Sequence, residues 1–171
     1  MDTQAWRTFQ TEFGQFWRQT CGKVRAYMFC ASNSASDADD LAQECYLRAF
    51  RNWDRFDSRG SRQAWLFAIA RNTQMDWFRK RGRDACVLER RVVERASEAS
   101  APELDNAEAL WQAVGRLTAE HREIVHLRFA ADLSYDEIAR TLNVPVGTVR
   151  SRLHRALKAI REQMEEVQNE T

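Results

Sequence analysis

The chain has 171 residues, 30% of them charged, and a formal net charge of +1. A balance so near zero excludes a protein that coats nucleic acid through bulk positive charge, and the length allows one domain or two small ones. Cys21, Cys30, Cys45 and Cys86 show no C-x-x-C spacing, which speaks against a zinc ribbon or a disulfide framework; a zinc site with His121 or His126 has no support in the spacing.

The hydrophobic pattern is helical throughout, with no convincing alternating strand. The first helix is expected over roughly Gln4 to Ala31, with Phe9, Phe13, Phe16, Trp17, Val24 and Met28 inward. Ser32 to Ser36 is a polar break. Ser36 should cap a second helix, and Asp37, Asp39 and Asp40 suit its positive end. Leu41, Cys45, Leu47, Phe50 and Trp53 run along it. Phe56 to Arg62, with Asp57, Ser58, Gly60 and Ser61, is a loop. A third helix follows from about Gln63 to Arg81, with Trp65, Leu66, Ile69, Ala70, Thr73 and Trp77 facing in.

From Gly82 to Pro102 the pattern decays into charged residues, Ala and Ser, which reads as a linker with a helical stretch around Leu88 to Arg95. Pro102 then stands where a helix with Leu104, Ala107, Leu110, Trp111 and Val114 on one face would begin, and Thr118 should cap another through Phe129. The fold class expected is all-α: two small helical domains on a flexible linker. The boundaries are 1–84 for the first domain, 85–102 for the linker and 103–171 for the second domain.

Ser134 to Arg161 carries the sharpest chemistry. Ser134 and Glu137 make an S-x-x-E capping box, Ile138, Ala139 and Leu142 give an apolar face, and Asn143 and Pro145 end the helix. Helix resumes from Val146 with Val149, Leu153, Ala156, Leu157 and Ile160 on one stripe. At about 100° per residue, Gly147, Thr148, Ser151, His154, Arg155 and Lys158 lie roughly opposite, with Arg150 and Arg152 flanking. No acid occurs between Pro145 and Arg161. This is the pattern of a helix-turn-helix whose second helix enters the DNA major groove: the cations neutralise phosphate, and Thr, Ser, His and Arg reach base edges.

Three blocks in order resemble the extracytoplasmic-function (ECF) sigma factors of the sigma-70 family. They are DADDLAQECYLRAFRNWDRFD from Asp37, SRQAWLFAIARNTQMDWFRKRGR from Ser61, and LTAEHREIVHLRFAADLSYDEIARTLNVPVGTVRSRLHRALKAIR from Leu117. The resemblance implies a bacterial transcription initiation factor. It binds core RNA polymerase and directs it to promoters by reading the −35 element as duplex and the −10 element as a melted strand.

By motif position, the resemblance implies that Asp40, Gln43 and Glu44 would dock on the β′ clamp helices. Arg59 and Arg62, in and after the loop, would guide phosphates of the opened strand. Asn72, Asp76, Arg79 and Lys80 recur on one side of their helix, where Asn and Asp suit base edges and Arg and Lys the backbone. Trp65 is read as core. Thr148, Arg150, Ser151, Arg152, His154 and Arg155 would contact the −35 duplex; His154 departs from the larger aromatic sometimes found there. The linker would run near the RNA-exit path, the second domain near the β flap, and an anti-sigma factor would cover the binding surfaces.

No cofactor, metal or catalytic residue is expected, nor membrane insertion; the absence of a signal peptide or a long uncharged apolar run points to a soluble, cytoplasmic protein. Two rivals remain at this level. A helix-turn-helix regulator with a ligand-sensing or dimerising N-terminal domain would fit the last domain equally well, and binding to duplex promoter DNA without polymerase would distinguish it. A metal-dependent enzyme could use Asp37, Asp39, Asp40 and Glu44, but no H-E-x-x-H or glycine-rich phosphate loop accompanies them.

Overall fold

The computed structural model describes residues 3–56, 60–82 and 106–169. Among them there are seven α-helices and no strand. They are α1 (Thr3–Ser32), α2 (Ala35–Arg51), α3 (Arg62–Lys80), α4 (Asn106–Gly115), α5 (Ala119–Val125), α6 (Tyr135–Leu142) and α7 (Val146–Asn169). A 3-10 turn, Trp53–Arg55, follows α2, and a π turn, His126–Ala130, follows α5. The chain divides into two compact units, Met1–Gln74 and Met75–Thr171, with the division inside α3. The expected linker at 85–102, its helix around Leu88 to Arg95, Pro102, Cys86 and Arg59 all lie outside the described residues.

In the first unit α1 packs along α2. The stripe that α1 buries is Phe16, Thr20, Val24, Tyr27, Met28 and Ala31, the spacing of one helical face. Thr20 sits at its centre because its hydroxyl is satisfied twice: it donates to the Phe16 carbonyl at 2.7 Å and meets the Tyr46 hydroxyl at 2.8 Å. Leu41, Cys45, Ala49, Leu66, Phe67 and Ala70 complete the apolar interior. Trp53 is clasped edge-on by Phe13 (centroids 5.1 Å) and Trp65 (6.1 Å), so Trp65 packs into this aromatic cluster as expected.

Two expectations are corrected here. The cap of α2 is Ser34, not Ser36: its side chain accepts from the Asp37 N–H at 3.3 Å. The connection is tighter than the polar run suggests, because Asn33 takes a left-handed conformation (φ 50) and ends α1 by donating to the Phe29 carbonyl. Trp17, expected inward, is 46% exposed, and Leu47 and Phe50 of α2 are exposed as well.

In the second unit α4, α5 and α6 each pack on α7. Ala113 and Leu117 meet Ala156 and Ile160, with Val114, Val125, Ala159 and Met164 around them. Small residues let α4 approach closely, which turns its larger neighbours out: Leu110 and Trp111, expected to face in, are exposed, Trp111 by 67%. Thr118 caps α5 by accepting from the His121 N–H, as expected. The helix does not continue regularly to Phe129, however. It widens into the π turn, where Ala131 N–H reaches the His126 carbonyl and Leu133 N–H the Leu127 carbonyl. Within this turn His126 and Leu127 are buried while Phe129 faces solvent.

Candidate nucleic-acid interface

The helix-turn-helix is built as the local chemistry dictates. Ser134 accepts from the Glu137 N–H at 3.3 Å, and the Ser134 N–H donates back to the Glu137 carboxylate at 2.8 Å, closing the capping box that starts α6. Ile138, Ala139 and Leu142 are buried. Asn143 ends α6 in the left-handed region (φ 55). Pro145 then offers its carbonyl to the N–H groups of Thr148 and Val149, so the proline that cannot extend α6 begins α7.

Val149, Leu153, Ala156 and Ile160 anchor α7 in the core, which fixes what faces outward. Arg150, Ser151, His154, Arg155 and Lys158 are exposed, and Thr148 is half-buried. A Cβ on Gly147 would meet nothing within 4 Å, so this glycine leaves open surface at the helix start. The Ser151 hydroxyl donates to the Thr148 carbonyl at 3.0 Å, leaving its lone pairs outward. Leu157, placed on the apolar stripe by periodicity, is at the stripe's edge and partly exposed. Arg150 and Arg152 lie on opposite flanks, about 160° apart around the axis. Two cations of this helix are paired: Lys158 lies 3.5 Å from Glu162 one turn on, and Arg152 reaches another element, its Nη2 3.0 Å from Glu120 Oε2 of α5. Nothing in the sequence signals that pair, whose members are far apart in the chain.

Along α3, Asn72, Arg79 and Lys80 are exposed and Asp76 is half-buried, one and two turns apart on one side. Asp76 pairs with Arg79 at 3.0 Å. Arg81, just past the helix end, stacks its guanidinium 4.3 Å from the Trp77 ring centroid. At the start of α3, Arg62 lies over the Trp53 ring (4.8 Å) and near that of Phe56 (5.6 Å), with Glu12 3.8 Å from its guanidinium. This cation is held against an aromatic wall, a placement that loop composition alone does not reveal.

On α2, Asp40 and Gln43 are exposed, and Glu44 accepts from Arg48 at 2.7 Å one turn on. Asp39 instead bonds Arg25 of α1. Between α1 and α2 runs an open groove of ≈ 710 Å³ lined by Phe13, Trp17, Cys21, Gln43, Tyr46 and Leu47 among others. No sign of this groove shows in the sequence, whose pattern sets Trp17 inward and places Leu47 on the helix without fixing its depth. Among the described residues no group of three or more His, Cys, Asp or Glu could hold a metal ion, and no helix is long and apolar enough to cross a membrane.

Comparison with known proteins matches residues 16–84 to the family described as "Sigma-70 region 2" and residues 107–160 to "Sigma-70, region 4". The chain is 29% identical over 160 residues to the ECF RNA polymerase sigma factor SigW of Bacillus subtilis, covering 85% of this chain and 86% of that protein. It is 35% identical over 142 residues to the ECF RNA polymerase sigma factor EcfG of Rhodopseudomonas palustris, covering 78% and 74%. Among solved structures, the sigma factor RpoE of Bartonella quintana, crystallised with the anti-sigma factor NepR, superposes with a TM-score of 0.70 at 27% identity, over 90% of this chain and 97% of that one.

Proposed function

We propose a two-point promoter reader, from the premise that this chain belongs to the ECF RNA polymerase sigma factors of the sigma-70 family. It is a transcription initiation factor that directs RNA polymerase to promoters; the stand-alone regulator is not the favoured reading. The proposal is the division of labour: residues 1–84 bind core polymerase and hold the −10 strand, 85–102 link, and 103–171 read the −35 duplex.

The observation that carries it is the outward face of α7. Four buried apolar residues fix the helix, and the face so presented holds Arg150, Ser151, His154 and Arg155 with no acid before Glu162. Arginine suits bidentate contact with guanine and with phosphate, and Ser151, His154 and Thr148 are short enough to meet base edges directly. On α3, Asn72 offers base-edge donors and acceptors and Lys80 neutralises the backbone of a single strand, while Arg79 and Asp76 join them on leaving or sharing their mutual ion pair. Arg62 is pre-placed for the same strand by its aromatic wall, and Arg59 belongs to this set by motif position.

Asp40, Gln43 and Glu44 supply the polar side of a core-docking surface, and the neighbouring groove with Trp17 and Leu47 supplies apolar area. Exposed apolar surface beside charge is also what an anti-sigma factor needs, and the relative RpoE is crystallised with one. In this reading the chain performs no chemistry of its own, nucleotide transfer belongs to the polymerase, and the protein works in the cytoplasm.

The test is reciprocal. Arg155→Ala should lower promoter selection at the −35 element tenfold or more while core affinity is unchanged; Glu44→Ala should weaken core association without altering which promoters are chosen. If Arg155→Ala lost core binding instead, the assignment of the α7 face would be wrong.

A further inference from the structure

The Glu120–Arg152 pair bears on how tightly the α7 face can hold DNA at all. Glu120 stands in the first turn of α5 and Arg152 on the flank of α7, with Nη2 and Oε2 3.0 Å apart. Arg152 follows Ser151, so it is turned about 100° away from the centre of the exposed face. Its side chain is 27% exposed and that of Glu120 66%. A guanidinium already engaged by a carboxylate is partly neutralised, and moving it to a phosphate means leaving or sharing that partner.

We propose that Glu120 withholds Arg152 from the duplex, trimming the sequence-independent part of the DNA affinity by one phosphate contact. The inference rests on the reading of α7 as the duplex-reading helix. Its consequence is selectivity. Phosphate contacts strengthen binding to every sequence alike, whereas Ser151, His154 and Arg155 discriminate. A factor with one fewer phosphate contact holds random DNA less firmly and depends more on polymerase to bring it to a promoter. The net charge of +1 points the same way.

The experiment measures binding of the full chain to a duplex of random sequence across about 50–200 mM salt. Glu120→Gln, which keeps the shape and removes the charge, should steepen the slope of log K against log salt by about 0.9 and raise affinity several-fold at the low-salt end. Arg152→Ala alone should leave the wild-type slope, and the double variant should return to it. Three results would each overturn the proposal: an unchanged slope for Glu120→Gln, a gain that persists when Arg152 is also removed, or a slope shallower by about 0.9 for Arg152→Ala alone. Arg155→Ala, assayed for promoter selection in holoenzyme, separates the two levels. If it leaves selection intact, the reading of α7 itself has failed; if selection falls while Glu120→Gln is silent, only the role of Glu120 has.

Discussion

The buried guanidinium of Arg122 donates to the Leu117 carbonyl at 2.7 Å and reaches the Gly115 carbonyl at 3.2 Å. One cation on α5 thereby satisfies the last carbonyl of α4, where the helix has run out of intrahelical donors, and that of Leu117 in the turn beyond it. The α4–α5 corner carries both the Thr118 cap and the Glu120 side chain, so Arg122 holds in place the element that faces Arg152.

Replacing Arg122 by Ala should therefore cost more than its modest size suggests. It strands two carbonyls and removes buried stem packing, for a loss of about 2–3 kcal/mol. Denaturant unfolding of the full chain, followed by circular dichroism, reads this as a lowered midpoint. A loss below about 0.5 kcal/mol, the range of an ordinary surface substitution, would show that water replaces the guanidinium freely.

Cys45 offers a chemical probe of the first unit. Its thiol is buried among Leu41, Ala49 and Leu66, and burial is the first cause that pushes its pKa up, to about 12. In the native protein at pH 8 it should resist alkylation while the half-buried Cys21 labels, as read by peptide mapping. The sign of the linkage follows from the raised value. Both states carry the neutral thiol below the ordinary value near 9, so this contribution to stability is whole there; it is lost as the pH climbs from there through about 12, because only the unfolded chain ionises easily. Cys45→Ala should flatten the alkaline loss of stability. Equal labelling of Cys45 and Cys21 at pH 8 would contradict the packing described.

Ser134→Ala removes one half of the capping box and should cost about 1 kcal/mol. Because α6 seats α7, the DNA-binding unit should lose both thermal stability and −35 affinity while core binding is kept. A variant with unaltered melting would mean that Glu137 alone sustains the cap.

The sequence and the structure agree best where the determinants are local. The box at Ser134 and Glu137, the break at Pro145, the Thr118 cap and the stripe Val149–Leu153–Ala156–Ile160 all depend on neighbours within one or two turns. Disagreement begins where depth or partner is set by another element. Trp17 and Trp111 have helical phase close to that of buried residues, but Thr20 and Ala113 occupy the contact instead, one through hydrogen bonds and the other through close approach. Ser34 caps α2 because Asn33 adopts a left-handed turn that composition did not single out.

The candidate site follows the same division. Exposure of Arg150, Ser151, His154 and Arg155 could be read from periodicity, since the opposite stripe is apolar. The tethering of Arg62 by Trp53 and Glu12, of Glu44 by Arg48 and of Arg152 by Glu120 needs three-dimensional neighbours for its strength, even where, as for Glu44 and Arg48, the spacing permits it. The π turn at His126 is likewise not signalled by local pattern: it follows directly on α5, with His126 and Leu127 buried and Phe129 exposed.

The central claim, one chain reading a promoter at two points, is tested most directly by mapping the 5′ ends of transcripts made by core polymerase with and without this protein on fragmented genomic DNA. The account predicts a defined set of start sites that appears only with the protein. Two shared sequence elements should precede those sites at fixed spacing, the upstream one relaxed by Arg155→Ala and the downstream one by Asn72→Ala. Start sites identical to those of core polymerase alone, or a single shared element indifferent to both substitutions, would contradict it.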